Sequence, residues 1–445
     1  MGIFHIFKKK ENTYNEGNEQ FNNAQKAFEG GNYQEALRLL VFAFSSDPSF
    51  LGCYKLANEC LLKLGATDEA NLFKDAITKF NSFEPFYNLG YHFIDVGHNR
   101  MAIPFLERAL SISPGDLKAT MELTLALTAQ FQPGKAKLLL EKVDKGEDFW
   151  VWYQYYWYCL LSNSIEGIEE FISSAKGCFG KQSAENENIA NCVCMIEKLE
   201  ECFLRHKTIL KPEMFIKYWH YIQYGSVVIQ YFDDNEENLN VAGGRYVAKW
   251  GSNEEIKSIL LRLKGFLEKL NLSCNSISYL PDRDSEIIGK VLSELMRLPS
   301  SIYKKQLEEN QLIIAANNNL LNEYPELAEI SNGQIVFAFN QDWLNVSTLT
   351  PDICGLMSQT YFFPWNGGLK VNSETGKLDQ LPPDQRSTSY IVTEILSENI
   401  DVQGDFGENV QFYMERKEYL KCSGKAGKKR LPFRVDSPVP GSYFC

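Results

Sequence analysis

The chain is short of histidine and of positive charge, and it has no long apolar run free of charged residues. Among 445 residues there are 5 histidines, no two closer than six residues, and the formal net charge is −12. Nucleic-acid backbones are held by basic faces, so this balance argues against a general nucleic-acid binder. No stretch is long and uncharged enough to read as a membrane span. There is no Walker loop, no HExxH and no Gly-x-Ser-x-Gly elbow, which removes the usual signatures of nucleotide cradling, zinc proteolysis and serine hydrolysis. The 11 cysteines follow no regular disulfide spacing, and Cys60, Cys159 and Cys202 sit inside apolar helical stretches. They read as small buried hydrophobes in a reducing compartment. Cys192 and Cys194 are two apart, which is not a zinc-knuckle step, and neither a metal nor another cofactor is expected.

What is present is enough for two or three domains, with 44% hydrophobic and 23% charged residues, the balance of a soluble globular chain. The opening residues Met1 to Lys10 are apolar and then basic. No long apolar region or small-residue cleavage site follows, as a signal peptide needs. Ile6 stands where a myristoylation pattern wants Ser or Thr, and Cys445 is too late for a prenylation box. The expectation is a leader over 1–16 that docks Phe4 and Phe7 on the first repeat, with weak membrane contact as the alternative. The expected location is cytoplasmic.

A repeat dominates the first half. Gly31, Ala36, Ala43 and Pro48 recur as Gly97, Ala102, Ala109 and Pro114 with the same steps of five, seven and five residues. The two glycines are 66 residues apart, close to twice 34. A middle unit carries Tyr54, Gly65 and Ala70; a fourth carries Leu123, Leu127, Ala136 and Leu140, with Phe131 in the place of the turn glycine. Small residues let paired helices approach, glycine makes the turn between them, and proline ends the second helix. This pattern resembles the tetratricopeptide repeat (TPR) family. The resemblance is firm over about 18–140, and a fifth unit over Tyr155 to Ala175 and a capping helix over Ile189 to Leu204 could extend it.

The resemblance implies stacked helical hairpins whose first helices line a concave groove. Carried over residue by residue, the groove positions are Asn18, Phe21 and Gln25, then Lys55 and Glu59, then Tyr87 and Tyr91, then Met121 and Leu125. Family members that clamp a terminal carboxylate use several basic side chains. Lys55 alone is basic here, so an extended or helical segment with apolar side chains fits better than an acidic tail. The segment Phe149 to Tyr158 is aromatic on every face of a helix, which predicts burial all round, under the following domain or against a partner.

Beyond Lys211-Pro212 the pattern changes. Tyr224–Phe232 and Arg245–Trp250 read as two strands of a hairpin, and Glu254–Leu270 as an amphipathic helix. Ser276–Leu280, Gln311–Ala316 and Gln334–Phe339 read as strands, with helices over Ser285–Leu298 and over Asn319–Ile330, the latter broken near Pro325. The alternation predicts an α/β domain with a mostly parallel sheet. The expected organisation is a leader over 1–16, TPR-like repeats with a capping helix over 17–208, the α/β domain over 209–370 and a largely flexible tail over 371–445. One amphipathic helix is expected near Ile391–Leu396 and another near Val410–Leu420, and the basic Lys421–Arg430 stretch reads as solvated, or as a contact for an acidic partner or membrane.

Ligands of open parallel sheets sit beyond the carboxyl ends of strands. Those ends supply Asp282, Arg283, Asp284, Asn317 and Asp342, with Arg245 facing an anionic substrate. Asp282 and Asp284 serve equally well as helix caps, and Asn runs as turns. The element order also resembles the type I phosphoribosyltransferases. That resemblance would place pyrophosphate at Pro281–Leu298 and the ribose phosphate at Ile313–Asn319, but the latter has no acidic pair and no Gly/Thr-rich turn, so the implied activity is lost. Cys354 or Ser285 would act as nucleophile only with His220 beside it. The first reading is an adaptor or scaffold that binds a protein partner through the groove. The alternative is an enzyme or small-ligand-binding domain with the repeats as a targeting arm.

Overall fold

The computed structural model describes residues 19–179, 187–231, 241–305, 308–331, 333–371, 378–400, 406–423 and 429–441. The expectations for the leader, for Asn18 and for 424–428 fall outside these residues. The chain divides into two compact units, Met1–Ile165 and Glu166–Cys445, a division earlier than the expected domain boundary at 208.

The first unit is a run of TPR-type helical hairpins. Its helices are α1 (19–29), α2 (Tyr33–Ser46), α3 (Leu51–Leu64), α4 (Thr67–Thr78), α5 (Phe83–Asp95), α6 (Asn99–Ile112), α7 (Leu117–Ala129), α8 (Pro133–Leu140) and α9 (Phe149–Leu161). The even-numbered helices begin at Tyr33, Thr67, Asn99 and Pro133, in steps of 32 or 34 residues. The turns repeat with them. Gly31, Gly65 and Gly97 take φ of 79°, 80° and 82°, and Phe131 takes the same left-handed conformation at 58°. Asn163 follows at 57°. Glycine adopts that conformation without strain; Phe131 holds it because its ring is buried, 8% exposed. Close approach is literal at Gly90 of α5, where a Cβ would lie 2.4 Å from Leu106 Cγ of α6. Ala36, Ala43, Ala70, Ala102, Ala109 and Ala136 are likewise buried. The core between hairpins is aromatic. Phe44, Tyr54, Phe73 and Phe105 mutually pack at ring separations of 4.9 to 6.2 Å, so residues far apart in chain lock α2, α3, α4 and α6 together.

The aromatic helix α9 is not buried all round. Tyr153, Trp157 and Tyr158 are buried, whereas Trp150 is 46% exposed. Lys145 Nζ lies 5.1 Å from the Trp152 ring and 4.8 Å from that of Tyr155, which lets these rings stay half-open under a cation.

The second unit begins with α10 (Ile168–Phe179), α11 (Glu187–Lys207) and α12 (Ile216–Tyr224). Its strands are β1 (Val227–Val228), β2 (Val241–Ala242), β3 (Arg245–Trp250), β4 (Ser276–Tyr279), β5 (Ser300–Ile302), β6 (Gln311–Asn317), β7 (Ile335–Gln341) and β8 (Ile353–Phe362), with β9 (Gly368–Val371) and β10 (Leu378–Leu381) in a separate ribbon. Helices α13 (Asn253–Lys269), α14 (Arg283–Met296), α15 (Thr388–Ser397) and α16 (Phe406–Met414) complete it. The main sheet runs β2-β3-β8-β7-β6-β4-β5, parallel except for β2 on β3, and β1 also pairs with β8 in parallel.

Two expectations are corrected here. Tyr224 ends α12 before Gly225, and the strand that follows is only Val227–Val228. It makes no hairpin with β3: both lie along β8, β1 opposite Ile353 and β3 opposite Ser358, and β3 turns back on β2 through Gly243 and Gly244. Residues 318–328 form two 3-10 turns in place of a helix, Asn318–Glu323 and Pro325–Ala328.

One sheet face meets α13 and α14: Gly355 of β8 lies against Ile259, and Gly289 of α14 against Tyr279. The other packs Ile313, Ala315, Val336 and Ala338 against Leu321 and Leu327 of the 3-10 turns. The tail belongs to this unit. Helices α15 and α16 stand near the two places where tail helices are expected, and Tyr413 of α16 accepts from Val228 N at 3.1 Å; flexibility is expected beyond them. The segment 429–441 forms a strap whose Phe433 and Val439 are buried. Arg430 donates to both Asp352 oxygens at 2.6 to 3.0 Å and to the carbonyls of Leu327, Glu329 and Gln334. Lys421 pairs with Glu201 at 2.8 Å, so Lys421 and Arg430 are committed inside the fold, whereas Lys429 stays exposed beside Glu329. Apolar content misleads here because one arginine with five acceptors anchors the strap. Among the described residues no helix is long and apolar enough to cross a membrane.

Candidate functional site

The TPR register places Phe21, Lys55, Tyr87 and Met121 at one level of α1, α3, α5 and α7, and Gln25, Glu59, Tyr91 and Leu125 one turn further along. The odd-numbered helices bury the side chains next to these. Ala24, Tyr54, Phe86 and Thr120 are 0 to 2% exposed, being the inward positions of an amphipathic helix. By contrast Tyr91 is 50% and Leu125 42% exposed; Gln25, Lys55 and Glu59 are exposed too, while Phe21, Tyr87 and Met121 are half-buried. Phe21 lies edge-on to Phe50 at 4.8 Å. On α5, Phe83, Tyr87 and Tyr91 stack as a ladder at 5.7 and 6.2 Å with interplanar angles of 14° and 27°. Burial, then the nearby Glu122 carboxylate, raises the Tyr87 hydroxyl pKa.

The same register continued onto α9 reaches Tyr153 and Trp157, stacked at 6.5 Å. These are closed positions, 7% and 5% exposed. Sequence reasoning missed them because aromatics surround α9; the 32-residue step from Met121 and Leu125 is the signal that finds them.

In the second unit the polar strand ends form two groups. Asp342 is held by its own turn: its carboxylate accepts from Leu344 N at 2.9 Å, Asn345 Nδ2 at 2.6 Å and Asn319 Nδ2 at 2.9 Å, while Asp342 N donates to Asn318 Oδ1 at 2.7 Å. Asn317 Oδ1 accepts from Asn319 N at 2.8 Å. Asp282 caps α14 by accepting from Ser285 N at 2.9 Å, and burial raises its carboxyl pKa. Asp284 faces elsewhere, accepting from Trp365 Nε1 at 2.6 Å and Asn366 Nδ2 at 2.9 Å; Arg283 donates to the Arg386 carbonyl at 2.9 Å. Arg245 turns inward, away from the open strand ends where an anionic substrate is expected. It is 2% exposed, donates to the carbonyls of Val439 and Pro440 at 2.7 and 2.9 Å, and lies 4.4 Å over the Trp343 ring. The β2–β3 turn packs against Val439 of the strap, which is why this arginine turns inward.

Four side-chain atoms at these strand ends, Asp282 Oδ2, Asn318 Nδ2, Asn319 Oδ1 and Gln341 Oε1, are buried without a hydrogen-bond partner. Asn318 and Gln341, both 0% exposed, lie in the polar strand-end runs 317–319 and 340–343 that the sequence offers as the candidate site. No nucleophile–base pair forms among the named candidates. Cys354 donates to the Val227 carbonyl at 3.4 Å and burial raises its thiol pKa; Ser285 Oγ accepts from Ala316 N at 2.8 Å. His220 faces the rings of Tyr224 and Phe433, and burial lowers its pKa to about 3.

No protein-family model matches the chain, and no curated protein does. Solved structures similar to it include YrrB, described as a TPR protein with an unusual peptide-binding site: 18% identity over 36% of this chain and 84% of that one, TM-score 0.22. MamA from Desulfovibrio magneticus RS-1 is 18% identical over 42% of this chain and 95% of that one, TM-score 0.21. PilW, a type IV pilus biogenesis factor, is 16% identical over 44% and 94%, TM-score 0.23. The repeat assignment stands on the chain's own helix spacing, left-handed turns and close-packed small residues.

Proposed function

We propose that this chain is a protein-interaction adaptor or scaffold whose odd-helix face receives an extended or helical segment of a partner protein. The observation that carries the reading is the open register itself: Tyr91 and Leu125 stay 50% and 42% exposed while the residues beside them are buried. A large apolar side chain held open at the same level of successive helices is what a partner's apolar anchors can cover. Among the similar structures, YrrB's description as a peptide-binding TPR protein is consistent with that use. The test is affinity capture from the native host with the full chain and with a Phe21→Ala, Tyr87→Ala, Tyr91→Ala variant of matching circular dichroism. A partner held by the first and lost by the second supports the reading; equal capture by both removes it.

A second reading is favoured by the unpartnered atoms at the ends of β6 and β7. Buried polar groups without partners are costly, and a small polar ligand would satisfy Asn318 Nδ2 and Gln341 Oε1. Under it the α/β unit is an accessory ligand-binding module, related in element order to a phosphoribosyltransferase that has lost its activity. A thermal-shift screen with nucleotides and phosphosugars, repeated on Asn318→Ala, tests it; no saturable shift in the unaltered chain rejects it.

A further inference from the structure

The ladder on α5 sits in acidic surroundings. Tyr87 and Tyr91 stack with their faces nearly parallel, and Tyr91 is half exposed. Met121 of α7 stands level with Tyr87 in the register, so Glu122 is the next residue along, and after burial the Glu122 and Asp116 carboxylates raise the Tyr87 hydroxyl pKa. Asp116 Oδ1 is occupied as the cap of α7, accepting from Ala119 N at 2.9 Å. Glu122 is half-buried, and among the described residues no hydrogen bond or ion pair holds it; Lys118, one turn before it on α7, makes no ion pair with it. Burial alone raises the Glu122 carboxyl pKa, so no cation offsets that cost. Among the described residues Glu59 and Glu84, exposed on α3 and α5, make no ion pair either, and Lys55 is the only basic residue at the open register positions.

An aromatic face attracts a cation through its ring quadrupole, and the attraction strengthens when a carboxylate lies beside it. An acidic ligand would meet the opposite sign at each of these points. We propose that Tyr87, Tyr91 and Glu122 form a subsite for a lysine or arginine side chain, so that the partner segment is basic between its apolar anchors. This rests on the groove reading above and goes further by giving the partner's charge.

The test uses the full chain and three fluorescein-labelled synthetic peptides with identical Phe and Leu anchors and Lys, Gln or Glu between them. Anisotropy titrations at low ionic strength are expected to rank Lys above Gln above Glu, with roughly tenfold between the extremes. Glu122→Gln is expected to narrow that gap to about threefold, whereas Glu147→Gln, which removes the same charge from an exposed site before α9, leaves it unchanged. Lys and Glu peptides that bind alike, or a gap that Glu147→Gln narrows as much as Glu122→Gln does, overturns the cation subsite; the groove reading then stands if the Gln peptide binds and the Phe21→Ala, Tyr87→Ala, Tyr91→Ala variant abolishes that binding. Failure of all three peptides to bind overturns the cation subsite and counts against the groove as well.

Discussion

The two units are held together over different distances along the chain. In the repeat unit, Gly90 meets Leu106 of the next helix and Phe44 meets Tyr54, while the contact of Phe44 with Phe105 spans 61 residues. In the α/β unit, Arg430 reaches Asp352 across 78 residues, and Tyr224 bonds the Arg434 carbonyl across 210. A repeat array is therefore a sum of local interfaces that leaves one face free, whereas the α/β unit depends on a few distant locks. The first design suits a surface for binding. The second suits a closed module in which most polar strand ends are already engaged.

Four experiments would break or sharpen that contrast. The largest effect is expected from Asp352→Ala, which leaves the fully buried Arg430 charge without its partner. A loss of about 3–5 kcal/mol is expected, read as a fall in the urea midpoint of the α/β unit. An unchanged midpoint would mean the strap is not a lock.

Acid should act on the same unit through His220. Its folded pKa of about 3 lies below the ordinary 6.5, so the unfolded chain takes up the proton first as pH falls. Stability attributable to this residue is present above pH 6.5 and drains away towards pH 3, at about 1.4 kcal/mol per pH unit. His220→Phe should flatten that slope in urea titrations at stepped pH; an unaltered slope assigns the acid sensitivity to other groups.

In the repeat unit Gly90→Ala should cost about 1–3 kcal/mol by overpacking. The cost should shrink when Leu106→Ala is combined with it, because the added Cβ meets that leucine. A strictly additive pair would show that the helices can part to admit the methyl group. The smallest effect on stability belongs to the open register: Tyr91→Ala with Leu125→Ala should stay within about 0.5 kcal/mol. A larger loss would mean these side chains serve the packing, not a partner.

How far the sequence reveals each unit follows from the same contrast. The hairpins are legible because glycine, alanine and proline recur within one repeat, and even Phe131 keeps the glycine position. The parallel sheet is legible from the apolar runs of β6 and β7. The strand β8, central and paired with β1, β3 and β7, went unread because Gly355 and Ser358 interrupt its apolar run. The strap is not readable locally at all: nothing near Arg430 in sequence names Asp352. The candidate ligand residues divide for a similar reason. Asp342 and Asn317 are at strand ends as expected, but Arg245 is claimed by Val439 and Pro440, which lie 194 and 195 residues away.

The central claim is that the partner lies on the odd-helix face. The direct measurement is photocrosslinking in the native host, with a benzophenone side chain placed at Tyr91 or Leu125, or at Leu138 of α8, an even-helix residue 54% exposed. The account predicts one covalent adduct from positions 91 and 125 and none from 138. An adduct from 138 alone would put the partner on another face and contradict the account.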